Sequence, residues 1–249
     1  SFGSAGFDMS EYFVPYMWGT LGVLYNADVI DPEDAEKAGW GMLWNAGPEG
    51  KLSDAITKKI YMKDSIRDSY CATLMYMKEY GLLPEGYASL TIEQLINTVD
   101  DTLLVKAEEI LKAQKNELYG YEVDFGKNEL IAGTALIDLA WSGDAFYAIE
   151  EAEAEGVNLV YYIPETGSNV WFDGWVIPKT ANYAVAAKYF IDFLNDPVVA
   201  MKNMMEIGYT SAVDKEVLLA NEEAAGYFAE VYAENPDDPE EVAELKEWY

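Results

Sequence analysis

Segments typical of strands and of helices alternate through the middle of this chain, and this alternation limits its possible folds more than any other feature. A β-prone run, KKIYM over 58–62, precedes a helical pattern from Asp64 to Tyr80. The alternation continues with helical segments over 91–98, 101–118, 127–132 and 144–154, and with strand-like segments over 135–141 and 158–163. This pattern is typical of a mainly parallel sheet covered by helices, so the sequence predicts an α/β fold.

The regions on either side predict further elements of the same kinds. The run YFVPYMWGTLGVLY, Tyr12 to Tyr25, predicts two short strands because Pro15 and Gly19 interrupt it. VWFDGWVIP over 170–178 predicts a strand that ends at its proline. Helical patterns dominate the remainder of the chain, which therefore joins an α/β region to a helical one.

Acidic residues greatly outnumber basic residues in this chain. There are 45 Asp and Glu against 16 Lys and Arg, which gives a formal charge of −29 at pH 7. Nucleic acid is excluded as a partner because binding its phosphates requires clustered Lys and Arg. The negative charge attracts cationic solutes, but salt screens it beyond about 8 Å, so charge alone cannot form a binding site.

The chain contains no His and a single cysteine, Cys71. The absence of His excludes Ser/His and Cys/His triads and the usual His/Cys zinc sites. One cysteine cannot form an internal disulfide or a CxxC motif. No apolar run reaches the roughly 20 residues of a membrane-spanning helix. The sequence therefore predicts no catalytic residues of the His or Cys type, no metal site and no cofactor.

Aromatic and carboxylate side chains recur together near the ends of predicted strands. Trp171 and Asp173 are two residues apart in a strand, so both side chains point to one face. Two further pairs follow predicted strands, where ligand sites of open α/β sheets lie: Trp141 with Asp144, and Asp64 with Asp68. Each pair also has a purely structural explanation, such as a core tryptophan or an Asp64 that caps the following helix.

This combination of side chains suits an alkylammonium ligand. Aromatic rings pack on methylene groups and attract a cation, which contributes about 0.5–2 kcal/mol per ring, while carboxylates accept charge-assisted hydrogen bonds. From these residues alone, an aromatic platform for a sugar or a glycosidase that uses two carboxylates remains equally compatible with the pattern.

Five segments together resemble the spermidine/putrescine-binding proteins of polyamine ABC transporters. They are VPYMWGTLGVLYN, KDSIRDSY, LAWSGDAFYAIEEA, VWFDGWVIP and IGYTSA, in an order that spans Tyr12 to about Ala212. The resemblance implies an α/β fold of the periplasmic-binding-protein type (type II), with two lobes, a hinge and a ligand held between the lobes. Closure of the lobes is then the signal that the permease reads.

The resemblance also implies roles for six residues. Trp141 and Trp171 are expected to flank the methylene chain, Asp173 to pair with one ammonium group, and Tyr209 to donate or accept a hydrogen bond. Asp68 stands where the family usually has Glu, which shortens the reach of that carboxylate. Ser65 stands where some members carry a second carboxylate, which favours a ligand with fewer charges or a different hold on one end.

Members of the family that resemble this chain have a long segment before the VPY motif that forms most of the first lobe. The chain is therefore expected to be dominated by the second lobe and to bind ligand weakly by itself. The expected organisation is a hinge with a remnant of lobe 1 over 1–25, lobe 2 over 26–170, a return to the hinge and lobe 1 over 171–211, and helices packing on lobe 2 over 212–249.

The implied function is capture of spermidine or putrescine and delivery to the permease subunits of an ABC importer. The implied location is periplasmic or extracellular, with membrane contact only through a lipid anchor or the permease. Receptors for a sugar, thiamine or iron are the alternatives, although Tyr161 and Tyr162 point to opposite faces of a strand and do not form an iron-binding pair. A carboxylate-pair hydrolase is the alternative from a different functional class.

Overall fold

The first strand, β1 (Val14–Asn26), is one continuous strand of 13 residues. The prediction of two short strands is therefore wrong. Pro15 is the second residue of β1 and is exposed, and proline is tolerated close to the start of a strand. Gly19 is buried within the strand and keeps the extended conformation.

The computed structural model describes residues 9–233, 235, 238–241 and 243. The chain divides into two units, a larger unit of residues 20–170 and a smaller unit of residues 1–19 and 171–249. The described residues after 211 fall in the smaller unit together with 171–211. Packing of helices over 212–249 on lobe 2 stays a prediction. None of the described helices is both long and apolar enough to cross a membrane.

The larger unit contains a mixed sheet with helices around it. Its further strands are β2 (Ala46–Gly47), β3 (Gly50–Lys51), β4 (Ile60–Lys63), β5 (Leu118–Glu122), β6 (Ile137–Trp141) and β7 (Leu159–Tyr162). Its helices are α1 (Pro32–Ala38), α2 (Ile66–Glu79), α3 (Ile92–Ile96), α4 (Asp101–Gln114), α5 (Gly126–Ile131) and α6 (Ser142–Ala154), with 3₁₀ turns at Gly39–Trp44 and Asp54–Ile56.

The main sheet of the larger unit has the strand order β5-β4-β6-β1-β7. Strand β4 pairs in parallel with both β5 and β6, whereas β1 pairs antiparallel with both β6 and β7. The prediction of a mainly parallel sheet is therefore only half right. β1 lies between two strands that α6 connects, and periodicity along the chain carries no signal for such an insertion.

Helix α2 begins one residue later than the sequence predicts. Ser65, not Asp64, is its N-cap, and the Ser65 hydroxyl accepts a hydrogen bond from the backbone N–H of Asp68 at 3.4 Å. The predicted helix over 101–118 ends at Gln114, and β5 starts at Leu118. Strand β5 was missed because its sequence, LYGYE, contains a glycine and is too short to display clear alternation.

Two apolar clusters cover the two faces of this sheet. On one face, β1, β4 and β6 pack against α2 and the 3₁₀ turn Gly39–Trp44, with Trp40 fully buried. On the other face, Leu24 and Ala140 pack against the alanines of α6. These layers hold β4 and β6 rigidly, so the residues at the carboxyl ends of both strands have defined positions.

The smaller unit is mostly helical, as expected. It contains the 3₁₀ turn Met9–Glu11, the strands β8 (Val170–Trp175) and β9 (Thr210–Ser211), and the helices α7 (Ala184–Leu194), α8 (Pro197–Ile207), α9 (Lys215–Ala220) and α10 (Glu222–Tyr232). Strand β9 pairs with Met17 and Trp18, in the part of β1 that belongs to this unit. Met17 of β1, Met201 and Met204 of α8, Leu218 of α9 and Phe228 of α10 form its apolar cluster.

Candidate functional site

Two of the predicted ligand-binding residues meet at one edge of the sheet of the larger unit. Trp141 ends β6, and Asp68 lies in the first turn of α2, which follows β4. Because β4 and β6 are parallel neighbours, their carboxyl ends share an edge. The indole N–H of Trp141 donates to Oδ2 of Asp68 at 3.3 Å. Asp68 is 7% exposed, so this hydrogen bond orients a nearly buried carboxylate.

Ser65 lies beside this pair, but its hydroxyl is already engaged. As the N-cap of α2 it accepts the backbone N–H of Asp68. Ser65 therefore supports Asp68 through the helix start.

A lysine that the sequence analysis did not select lies against Trp141. Nζ of Lys63 is 4.7 Å from the centroid of the Trp141 ring, a cation–π distance. Lys63 is the last residue of β4, and its side chain is only 1% exposed. A lysine next to an aspartate at a strand end suggests a solvated turn, which is why sequence reasoning missed it.

Lys63 forms a buried charge cluster with Glu122 and Asp138. The ammonium group of Lys63 donates one hydrogen bond to Oε1 of Glu122. It donates a second one to the carbonyl oxygen of Val123, at 3.0 Å. The same nitrogen lies 3.8 Å from Oδ2 of Asp138. Both carboxyl side chains are at most 1% exposed. Glu122 also accepts the backbone N–H of Gly126 at 2.8 Å. The burial of the cluster is close to complete.

Burial and neighbouring charges set the protonation of this cluster. Burial by itself lowers the pKa of Lys63, but the carboxyl groups of Asp138 and Glu122 outweigh it, so the pKa lies above its ordinary value and the ammonium stays charged. Burial raises the pKa of Asp138 well above its usual range, and the Lys63 charge opposes this only in part. The direction of this shift favours the protonated form of Asp138.

The other two predicted carboxylates near this edge are placed differently. Asp144, in the first turn of α6, accepts from Nζ of Lys127 at 2.6 Å. Asp64 is exposed, and its backbone N–H donates to the carbonyl of Glu122 at 2.6 Å. Asp144 is thus neutralised by a lysine, and Asp64 faces solvent.

The remaining predicted residues belong to the smaller unit. Trp171 and Tyr209 pack edge to face, with ring centroids 5.1 Å apart and an interplanar angle of 69°. Asp173, two residues along β8 from Trp171, is exposed, while Phe172 between them stacks on Phe13 at 5.5 Å. Within the described part of the chain, the buried indole nitrogen of Trp171 has no hydrogen-bond partner. This unit therefore presents an aromatic pair beside a solvated carboxylate.

The two groups differ in chemistry. The larger unit brings Asp68, Trp141 and Ser65 together and places the Lys63 ammonium over the ring of Trp141, whereas the smaller unit brings Trp171 next to Tyr209 and leaves Asp173 in solvent. Among the described residues, no group of three or more His, Cys, Asp or Glu side chains is arranged to hold a metal ion. Both arrangements suit the binding of a cation with an apolar body.

Comparison with known proteins gives matches that extend over most of the chain. The family model described as bacterial extracellular solute-binding protein matches residues 1–236. The spermidine/putrescine-binding periplasmic protein of Salmonella typhimurium is 29% identical over 200 residues, which cover 80% of this chain and 49% of that protein. The putrescine/agmatine-binding protein of Pseudomonas aeruginosa is 25% identical over 207 residues, which cover 80% and 51%.

A solved structure shows the same fold. The substrate-binding protein PotD of a spermidine/putrescine ABC transporter from Streptococcus pneumoniae matches with a TM-score of 0.61 and 25% identity, over 96% of this chain and 62% of that one. The predicted α/β fold of the periplasmic-binding-protein type is confirmed. The chain spans about half the length of the curated relatives it matches, for example 49% of the Salmonella protein.

Proposed function

Because this chain belongs to the bacterial extracellular solute-binding protein family, we propose that it is part of the polyamine-capturing component of an ABC importer. Its relatives are substrate-binding proteins, so the chain is classed as a binding protein and not as an enzyme. The proposal includes capture of spermidine or putrescine between two lobes and delivery to the permease subunits. It also includes a periplasmic or extracellular location, with membrane contact only through a lipid anchor or the permease.

The observation that carries the proposal is the hydrogen-bonded pair of Trp141 and Asp68. An indole ring held by a nearly buried carboxylate offers an apolar surface for methylene groups next to an acceptor for an ammonium group. Trp171, Tyr209 and Asp173 offer the same two kinds of group in the smaller unit. Both sets match the residues that the resemblance selects for polyamine contact.

Titration calorimetry of putrescine and spermidine into this chain, at two salt concentrations, tests the proposal. Heat of binding that decreases at higher salt supports it, since both partners are charged and salt screens their attraction. Sugars and thiamine, titrated in the same way, serve as the competing solutes. The absence of binding for both polyamines up to millimolar concentrations overturns the proposal.

Replacing Asp173 by Asn is expected to weaken polyamine binding by about 10- to 100-fold. A hydrogen bond to a charged group contributes about 1.5–3 kcal/mol, and each 1.4 kcal/mol is a factor of ten in affinity. Asp192 of α7 is also exposed, so Asp192→Asn makes the same change of charge in the same unit and is expected to leave affinity within about twofold. Equal affinities for wild type, Asp173→Asn and Trp171→Ala contradict the assignment of these residues.

A further inference from the structure

The ring of Trp141 already carries a cation of the protein. Nζ of Lys63 lies 4.7 Å from the ring centroid, and the side chain of Lys63 is 1% exposed. A cation held over one part of an aromatic ring occupies that part of the ring surface and takes up the attraction that a ligand ammonium group needs. The position of Lys63 therefore decides which part of a ligand can rest against Trp141.

Two carboxyl groups and one carbonyl group restrain Lys63 in this position. Its ammonium is held by Oε1 of Glu122, by the carbonyl of Val123 at 3.0 Å and by Oδ2 of Asp138 at 3.8 Å. Gly126 leaves no room around these carboxyl groups, since a Cβ built there meets Oδ2 of Asp138 at 2.6 Å. The charge on Lys63 is a permanent part of the surroundings of Trp141.

The other carboxyl groups near Trp141 already have lysine neighbours. Lys63 lies within ion-pair distance of Glu122 and Asp138, and Lys127 lies 2.6 Å from Asp144. Asp68 accepts a hydrogen bond from the neutral indole of Trp141, and no lysine or arginine of the described residues lies within 4.0 Å of its carboxylate. Around Trp141, Asp68 is thus the carboxylate left to receive a ligand ammonium group.

We propose that Lys63 is a specificity-determining residue, which restricts this part of the site to one ammonium group at Asp68 and thereby selects linear diamines over triamines. The inference rests on the proposed function. A diamine anchored at Asp68 places only methylene groups beside Trp141. A triamine anchored through its aminopropyl end places its internal ammonium group close to the ring, where Lys63 already takes up the attraction of the ring for a cation.

The test compares affinities for putrescine and spermidine, measured by calorimetry at one ionic strength. Wild type is expected to bind putrescine at least about tenfold more tightly than spermidine. The double variant Lys63→Met with Glu122→Gln removes both members of the ion pair, so no buried charge is left without a partner. The double variant is expected to bind spermidine at least about tenfold more tightly than wild type does. Its affinity for putrescine is expected to stay within about threefold of the wild-type value.

A matched control is the ion pair of Lys106 and Glu109 on the surface of α4. Nζ of Lys106 lies 3.0 Å from Oε2 of Glu109. Lys106→Met with Glu109→Gln makes the same chemical change away from Trp141 and is expected to leave the affinity ratio unchanged. Two results overturn the role proposed for Lys63 without affecting the proposed function. One is an unchanged ratio of putrescine to spermidine affinity in the Lys63 double variant, and the other is a wild-type preference for spermidine. The preference is read from wild type without any variant, so the test does not depend on the folding of the double variant. Binding of neither amine by wild type overturns the proposed function itself.

Discussion

Replacing Glu122 by Gln is expected to destabilise the larger unit by about 3–5 kcal/mol, because it leaves the buried ammonium of Lys63 without its closest counter-ion. Both side chains are at most 1% exposed, so water cannot compensate the charge. The side-chain oxygen of Gln can still accept the backbone N–H of Gly126, which Glu122 accepts at 2.8 Å. The loss of stability therefore reports the ion pair, and not the hydrogen bond at the N-terminus of α5.

Urea denaturation followed by circular dichroism measures this effect, with the transition of the larger unit analysed separately if the two units unfold independently. The double variant Lys63→Met with Glu122→Gln is the informative control, since removing a whole buried pair is often close to neutral. We expect it to be more stable than Glu122→Gln alone. A loss below about 1 kcal/mol for Glu122→Gln, or a double variant no more stable than the single one, contradicts the buried ion pair.

Asp138→Asn is expected to behave differently from Glu122→Gln. Burial raises the pKa of Asp138 well above its usual value, so the carboxyl group is neutral over a range of pH in which an unfolded Asp is ionised. The folded state then binds more protons than the unfolded state, and this group contributes less stability as the pH rises from about 4 toward the raised pKa. The Asn side chain of the Asp138→Asn variant does not titrate, so this variant does not show the pH-dependent loss of stability.

The difference in unfolding free energy between wild type and Asp138→Asn is therefore expected to shift in favour of Asn as the pH rises. Denaturation curves at several pH values between about 4 and 8 measure it. The Glu122→Gln variant behaves differently, since it is expected to be less stable than wild type over this whole pH range. A pH-independent difference between wild type and Asp138→Asn shows that Asp138 is ionised in the folded state.

Replacing Trp40 by Ala is expected to destabilise the larger unit by a similar amount, about 3–5 kcal/mol. Trp40 is 0% exposed and belongs to the apolar cluster between the sheet and α2. Its indole N–H also donates to the carbonyl of Gly167 at 3.1 Å. The truncation removes this hydrogen bond and leaves a large cavity, which the rigid layers around it can fill only in part.

Thermal and urea denaturation of Trp40→Ala measure the loss, and Trp40→Phe separates its causes. Phe keeps much of the buried volume but leaves the Gly167 carbonyl without the indole donor, so an intermediate loss is expected. Tyr183 is 82% exposed, and Tyr183→Ala is expected to change stability by no more than about 0.5 kcal/mol. Equal stabilities of Trp40→Ala and wild type conflict with a packed core at this position.

The fold class and most elements of this chain could be predicted from local patterns. The capping-box pattern at Thr91 starts α3 as predicted, with both reciprocal hydrogen bonds present. The alternation of β4, α2, β6, α6 and β7 is visible in the sequence because each element has its own apolar period. Strand β5 and the continuity of β1 were missed, since both depend on pairing with strands distant in the chain.

The candidate site was predictable in its parts but not in its pairings. Asp68 and Trp141 were selected separately as polar and aromatic residues that follow strands, and they are 73 positions apart. Their hydrogen bond exists because β4 and β6 are parallel neighbours. Lys63 had only one signal in the sequence, the carboxylate of Asp138 within the apolar run ALIDLAW, which requires a partner when it is buried.

By itself, the sequence determined the α/β class, the acidic character of the chain, the absence of His chemistry and the residue types available to a cationic ligand. Those properties follow from composition and from the periodicity of neighbouring residues. Only the tertiary structure decided which carboxyl groups lie next to lysines and which one accepts the indole N–H of Trp141. Charge pairing depends on distances of a few ångströms between residues far apart in the chain, and sheet order sets those distances.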